Sequence, residues 1–231
     1  MGKYVILLSI VCCLNGNKIL AQLPLSTSMS IEGYVNRSGN YLMQIGDYSE
    51  VKGSPYLDET FKKGAIKLDG EWYRETDLRY DSFDGVFEVK LKDGIFVIRP
   101  ENADTDSILY NKEIFVTRDM NPEKPVRMQY MVSLYQDESY TLLKRYSARL
   151  DNAVKTDGYS EAKPAEYKPN PPVYYIFRGH EPLEVKGTGS IADIFAIDRK
   201  SVKRYMRQHK YNSKNELDLI EIIRHFSSIN K

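Results

Sequence analysis

Three Asp-Gly pairs, Asp69-Gly70, Asp84-Gly85 and Asp93-Gly94, separate short runs of alternating apolar and polar residues, and this punctuation commits the middle of the chain to an antiparallel sheet. Asp-Gly suits a two-residue hairpin, whose turn asks for positive φ at both central positions. If Asp84-Gly85 is such a turn, Phe83 faces Val86, Tyr80 faces Val89, Asp81 faces Glu88 and Leu78 faces Leu91. A second turn at Asp93-Gly94 sets Leu91 opposite Phe96, Val89 opposite Ile98 and Glu88 opposite Arg99. One face then carries Leu78, Tyr80, Phe87, Val89, Leu91, Phe96 and Ile98, and the other carries Arg79, Asp81, Glu88, Lys90 and Arg99. Two independent turns agree on which face is buried, and a slip of one residue would turn that face to solvent.

Further strands are expected over 108–117, 126–135 and 140–150, followed by a long surface loop at 152–172 that holds four of the ten prolines. A last hairpin is expected at 173–177 and 183–185. The pattern then turns helical. Asp198 is placed to cap a helix bearing Val202, Tyr205, Met206 and His209 at spacings of three and four. A second helix opens on Ser213-Lys214-Asn215-Glu216, which fits a capping box, and lines up Leu217, Ile220, Ile223 and Phe226 beside Leu219 and Ile222. So wide an apolar stripe must pack on something, and the sheet is the partner at hand. The expected fold is therefore β-rich α+β, an antiparallel β-meander forming a curved sheet or half-barrel with two C-terminal α-helices packed on it.

The N-terminus has the anatomy of a secretory signal: Lys3, an apolar run over 4–14, a polar break over 15–18, and Ala21 as the cleavage position. Eleven apolar residues fall short of the roughly 20 needed to span a bilayer. Cys12 and Cys13 both lie in this segment, and neither follows the small residue that a lipoprotein signal requires. Residues 22–231 then contain no disulfide, thiol nucleophile or cysteine-bound metal. The expected division is a signal peptide at 1–21, the meander at 22–151, the proline-rich loop at 152–172, and the final hairpin and helical segment at 173–231. Setting aside Lys3 and Lys18 lowers the basic count from 33 to 31 against 32 acidic residues, so overall charge argues for no polyanion partner.

The stretch Gly53-Ser54-Pro55-Tyr56-Leu57, then Phe61 and Gly64, then Leu78-Arg79-Tyr80-Asp81 and Glu88, resembles a group of uncharacterised exported proteins of Bacteroidota-type bacteria. The closing pair of helices is similar too, so the likeness spans most of the chain after the signal. The resemblance implies export and a bacterial envelope setting, periplasmic, envelope-associated or secreted, and it carries no activity with it.

The most specific polar constellation is Arg79, Asp81, Glu88 and Arg99. In the inferred register Asp81 and Glu88 are direct neighbours, which reads either as a polar binding site or acid-base carboxylate pair, or as a solvated ladder in which the arginines relieve the repulsion. A basic segment runs from Arg199 to Lys214 without an acid. Its Lys200, Lys203, Arg204 and Arg207 form a patch that reads either as contact with anionic lipid headgroups or as a solvated helix face. Gly187-Thr188-Gly189-Ser190-Ile191-Ala192 matches a loose dinucleotide fingerprint but lacks the strand and acidic residue that should follow, and is read as a turn. His180, His209 and His225 have no metal-ligand spacing. These features assign no catalytic residue, metal, cofactor or nucleic-acid partner. The expected function is a non-enzymatic envelope protein with a ligand-binding, partner-binding or scaffold role. The alternatives are a periplasmic lipid or lipoprotein carrier and a hydrolase using Asp81 and Glu88.

Overall fold

The computed structural model describes residues 31, 51–68, 70–101, 105–121, 127–154 and 163–229. The signal-like segment with Cys12 and Cys13 therefore lies outside the described residues. Among the described residues the strands and helices, in chain order, are β1 (Lys62–Leu68), β2 (Glu71–Asp81), β3 (Val86–Leu91), β4 (Gly94–Ile98), β5 (Thr105–Tyr110), β6 (Glu113–Asp119), β7 (Met128–Gln136), β8 (Tyr140–Arg145), β9 (Ala148–Asp151), β10 (Glu166–Pro169), β11 (Val173–Arg178), β12 (Glu181–Glu184), α1 (Thr188–Ile194), α2 (Arg199–His209) and α3 (Glu216–Ile229). Ten strands form one antiparallel sheet in the order β12-β11-β8-β7-β6-β5-β1-β2-β3-β4, and β9 and β10 form a separate pair. The meander thus runs outward twice from β1, once as β2-β3-β4 and once as β5-β6-β7-β8.

The predicted faces hold and the predicted register does not. Leu78 pairs with Val89, Tyr80 with Phe87 and Asp81 with Val86, a shift of two residues from the Asp84-Gly85 turn. The connection is a four-residue loop, Ser82 to Gly85. Gly85 alone takes positive φ, +72°, and donates its N–H to the Asp81 carbonyl at 2.9 Å. The Asp81 carboxylate accepts from the N–H groups of Phe83 and Asp84, both at 2.9 Å, which satisfies a wider loop than a two-residue turn allows. Val89 likewise meets Phe96 rather than Ile98, because Leu91 pairs with Gly94 and the turn sits at Lys92-Asp93. A shift of two preserves the face. Leu78, Tyr80, Phe87, Val89, Phe96 and Ile98 are all buried.

Other boundaries differ where the turn signal was weak. The single strand expected over 108–117 is the β5-β6 hairpin, turned at Asn111-Lys112, whose φ angles of 50° and 67° are those of a mirror-image turn without glycine. The strand expected over 140–150 breaks after Arg145 into β8 and β9. The proline-rich stretch contains β10, paired residue for residue with β9, while its residues 155–162 lie outside the described ones. Asn215, not Ser213, caps α3, accepting the Asp218 N–H at 3.0 Å. Leu217 accordingly points outward and is 72 % exposed, whereas Leu219, Ile222, Ile223 and Phe226 are buried. Residues 188–194, read as a turn, form the short helix α1. Asp198 caps α2 as expected, accepting the Ser201 N–H at 3.1 Å.

The sheet curls on itself without closing. Phe87 on β3 and Tyr130 on β7 are five strand steps apart in the sheet order, about 24 Å if the sheet were flat. Their ring centroids are 5.1 Å apart. Bulges at Gly64/Ala65, at Lys67/Leu68 and between Ser133 and Tyr135 bend the strands in this way. The interior of the curl is filled by aromatic rings, with Phe87 against Tyr80, Tyr110, Phe115 and Tyr130. A second core lies where α1, α2 and α3 cover Tyr140, Leu142 and Ile176, with Phe195, Val202, Leu219, Ile222 and Phe226 packed among them. Leu134 is packed against both cores.

Candidate functional site

The predicted charged face is solvated only in part: Lys90 and Arg99 are exposed, but Asp81 and Glu88 are buried. A strap of residues 51–61 crosses it, and the side chains on both sides of the crossing are held there by named contacts. Lys52 bonds through its backbone to Ala165 and Tyr167, and Gly53 takes φ +73° with its Cα facing the Tyr167 carbonyl. A Cβ at Gly53 would lie 2.3 Å from that oxygen, so no other residue fits. The Pro55 carbonyl accepts from the Ser82 N–H at 2.9 Å and from its hydroxyl at 2.7 Å, and the Leu57 N–H donates to the Tyr80 carbonyl. Glu88 lies beneath at 2 % exposure. Its Oε2 accepts from Arg79 Nε at 2.8 Å and Nη2 at 2.6 Å, and its Oε1 accepts from the Tyr56 hydroxyl at 3.1 Å. The Arg79 guanidinium is sandwiched between the rings of Tyr56, at 3.7 Å, and Phe61, at 4.4 Å.

This geometry reverses part of the sequence reading. Glu88 lies opposite Arg79 and Val97, not opposite Asp81 and Arg99. Asp81 is also 2 % exposed, and burial, opposed by its backbone hydrogen bonds, pushes its carboxyl up to about 6. The Tyr56 hydroxyl is raised by burial and by the neighbouring Glu88 carboxylate. Arg79, Asp81 and Glu88 are thus brought together as a latch that fastens the strap and the β2-β3 loop. Neither carboxylate is open to a substrate.

Arg99 is taken elsewhere. The β2-β3 loop, the end of β4, the start of β7 and the end of β8 surround a recess of about 330 Å³ at one mouth of the curl. Arg99, Arg127 and Arg145 line it from three separate segments, together with Asp84, Glu101, Gln129 and Tyr146. Arg145 donates through Nη1 to Gln129 Oε1 at 3.1 Å, and its guanidinium lies 5.4 Å from the Tyr175 ring centre. Its Nε is buried and has no hydrogen-bond partner among the described residues. A guanidinium presents a planar fork of donors matched to carboxylate, phosphate and sulfate oxygens, so an acceptor entering this recess meets arginines from three separate segments. Sequence reasoning missed Arg127 and Arg145 because their approach depends on the curl, not on any local pattern.

A second cluster was also missed. Lys144 is 4 % exposed on the inward side of β8, bonded to Glu113 at 2.5 Å and to Glu216 of α3 at 2.8 Å. The Tyr146 hydroxyl joins it through Glu113 and the Tyr174 hydroxyl through Glu216. Burial alone would lower the Lys144 ammonium, but the two carboxylates outweigh it and hold it above the usual lysine range. The signal was present: Tyr140, Leu142 and Lys144 alternate on one face, so a lysine occupies an inward position. On α2, Lys203 and Arg207 border an open groove with Lys210, while Lys200 and Arg204 do not line it. No protein family matches the sequence, and neither a curated protein nor a solved structure matches it.

Proposed function

We propose that this is an exported, non-enzymatic envelope protein that binds a small anionic ligand in the arginine-lined recess. The observation that carries the reading is the convergence of Arg99, Arg127 and Arg145, from three separate segments, on one recess. An anionic acceptor there would make charge-assisted bonds to guanidinium donors, which are roughly twice as strong as neutral ones. Asp84 and Glu101 at the same recess favour a ligand that also offers hydroxyl or amine donors over a bare polyanion.

The use of Asp81 and Glu88 as a buried latch supports binding over hydrolysis by paired carboxylates. The aromatic filling of the curl supports it over a lipid or lipoprotein carrier, which needs an unfilled apolar concavity. Export rests on the signal-like segment before Gln22. The test is calorimetric titration with phosphate, sulfate, citrate and glucuronate, on wild type and on Arg145→Gln and Arg127→Gln. At least one anion should bind, and each variant should weaken it about tenfold, the loss of one charge-assisted bond. Failure of all four anions, or binding that neither variant weakens, would refute the recess as the site.

A further inference from the structure

The groove on α2 shares no residue with the arginine recess, and its make-up is of another kind. It has a volume of about 670 Å³ and is lined by Thr188, Lys203, Met206, Arg207, Lys210 and Tyr211. Lys203 and Arg207 are four residues apart on one side of α2, and Lys210, the left-handed cap at its end, lines the same groove. None of the three makes an ion pair or a side-chain hydrogen bond among the described residues. Lys62, Lys63, Arg79, Lys144, Arg149, Lys168, Arg178, Lys186 and Arg224 have carboxylate partners, whereas Lys200 and Arg204 on the same helix have none among the described residues. No carboxylate lines the groove.

A plain explanation is that Arg207 and Lys210 complement the carbonyl end of α2. That end carries about half a negative charge, which is too little for three cations and leaves more than two of them uncompensated. The rest of the lining decides the class of partner. Met206 and Tyr211 pack partly into the helical core and present apolar surface between the cations. A free inorganic anion would use the cations and gain nothing from that floor. A phospholipid uses both, its phosphate on Lys203, Arg207 and Lys210 and its glycerol and upper chain on Met206 and Tyr211.

We infer that this groove docks the protein on a bilayer by binding the headgroup of an anionic phospholipid. No helix of the described residues is long and apolar enough to cross a membrane, and the attachment is peripheral. Each basic residue close to an anionic leaflet strengthens attachment about fivefold, so the three together account for about a hundredfold.

The experiment is sedimentation of the exported form, residues 22–231, with vesicles of pure phosphatidylcholine and of phosphatidylcholine with one-third phosphatidylglycerol. Wild type should bind the anionic vesicles, release in half-molar salt, and leave the neutral ones unbound. Lys203→Gln/Arg207→Gln/Lys210→Gln should lose about a hundredfold with an unchanged melting curve, since all three side chains are exposed. Arg145→Gln should bind vesicles as wild type does, which separates this site from the recess. Equal binding to neutral vesicles, full retention by the triple variant, or inorganic phosphate held as tightly as the vesicles would overturn the inference. If the triple variant does not fold, Lys203→Gln alone must still lose about fivefold.

Discussion

Replacing Glu88 by Gln keeps the shape of the latch and removes its negative charge. The amide oxygen can still accept from Arg79, but that guanidinium, only 16 % exposed, is then a buried cation facing a neutral group. Arginine cannot shed its proton, so the penalty is not relieved by titration. Breaking a buried ion pair by removing one partner costs about 3–5 kcal/mol. The Tyr56 and Phe61 rings above and below Arg79 offset part of this, a stacked cation being worth about 1–2 kcal/mol, so the lower figure of about 3 kcal/mol is expected. For a chain of this size that lowers the melting temperature by about 6–12 °C. Arg79→Met alone should be at least as damaging, because it leaves the Glu88 carboxylate with only the Tyr56 hydroxyl among the bonds named above. The double variant Arg79→Met/Glu88→Met should be more stable than either single one, since it buries no unpaired charge. Urea unfolding followed by circular dichroism measures all four proteins. A Glu88→Gln midpoint within about 0.5 kcal/mol of wild type, with additive single changes, would show that the pair is solvated and the latch argument wrong.

Asp81→Asn should do the opposite above pH 6. The folded carboxyl, at about 6 against 3.8 unfolded, holds its proton more tightly in the native state, so its contribution is fully present below pH 3.8 and is lost as pH rises to 6. Asn keeps the acceptor oxygen for the Phe83 and Asp84 N–H groups, and its stability advantage over wild type should grow by about 3 kcal/mol across that interval; a constant difference from pH 4 to 7 refutes the assignment. Val89→Asp should unfold the protein at far lower urea than Lys90→Asp, because Val89 is fully buried between Leu78 and Phe96 while Lys90 is exposed. Matching midpoints for these two would mean that the buried face has been misidentified.

What the chain determines by itself is local and periodic. Alternation of period two decides which side chains of β2, β3 and β4 face inward, and an error of two residues in register leaves that decision untouched, because the period is two. The Asp198 cap and the stripe of α3 follow equally from spacings of three and four. Registry itself was not legible, since the Asp81 carboxylate, a side chain rather than a backbone preference, stabilises the longer loop. The Asn111-Lys112 hairpin escaped notice because neither residue is the glycine that usually marks such a turn. Nor could the pattern reveal that Asp81 and Glu88 on the charged face are buried. That depends on Tyr56 and Phe61 arriving from more than 15 residues upstream of Arg79, held by a glycine whose need is set by Tyr167 far along the chain. The two binding surfaces divide in the same way. Lys203 and Arg207 lie one turn apart on α2 with Lys210 at its cap and could be grouped by counting, whereas Arg99, Arg127 and Arg145 meet only because a ten-stranded sheet curls until β4 approaches β7 and β8. Contacts within a helical turn follow from bond geometry over a few residues. Contacts across a curled sheet follow from bulges, a filled aromatic core and the closure of long loops, and these belong to the whole fold.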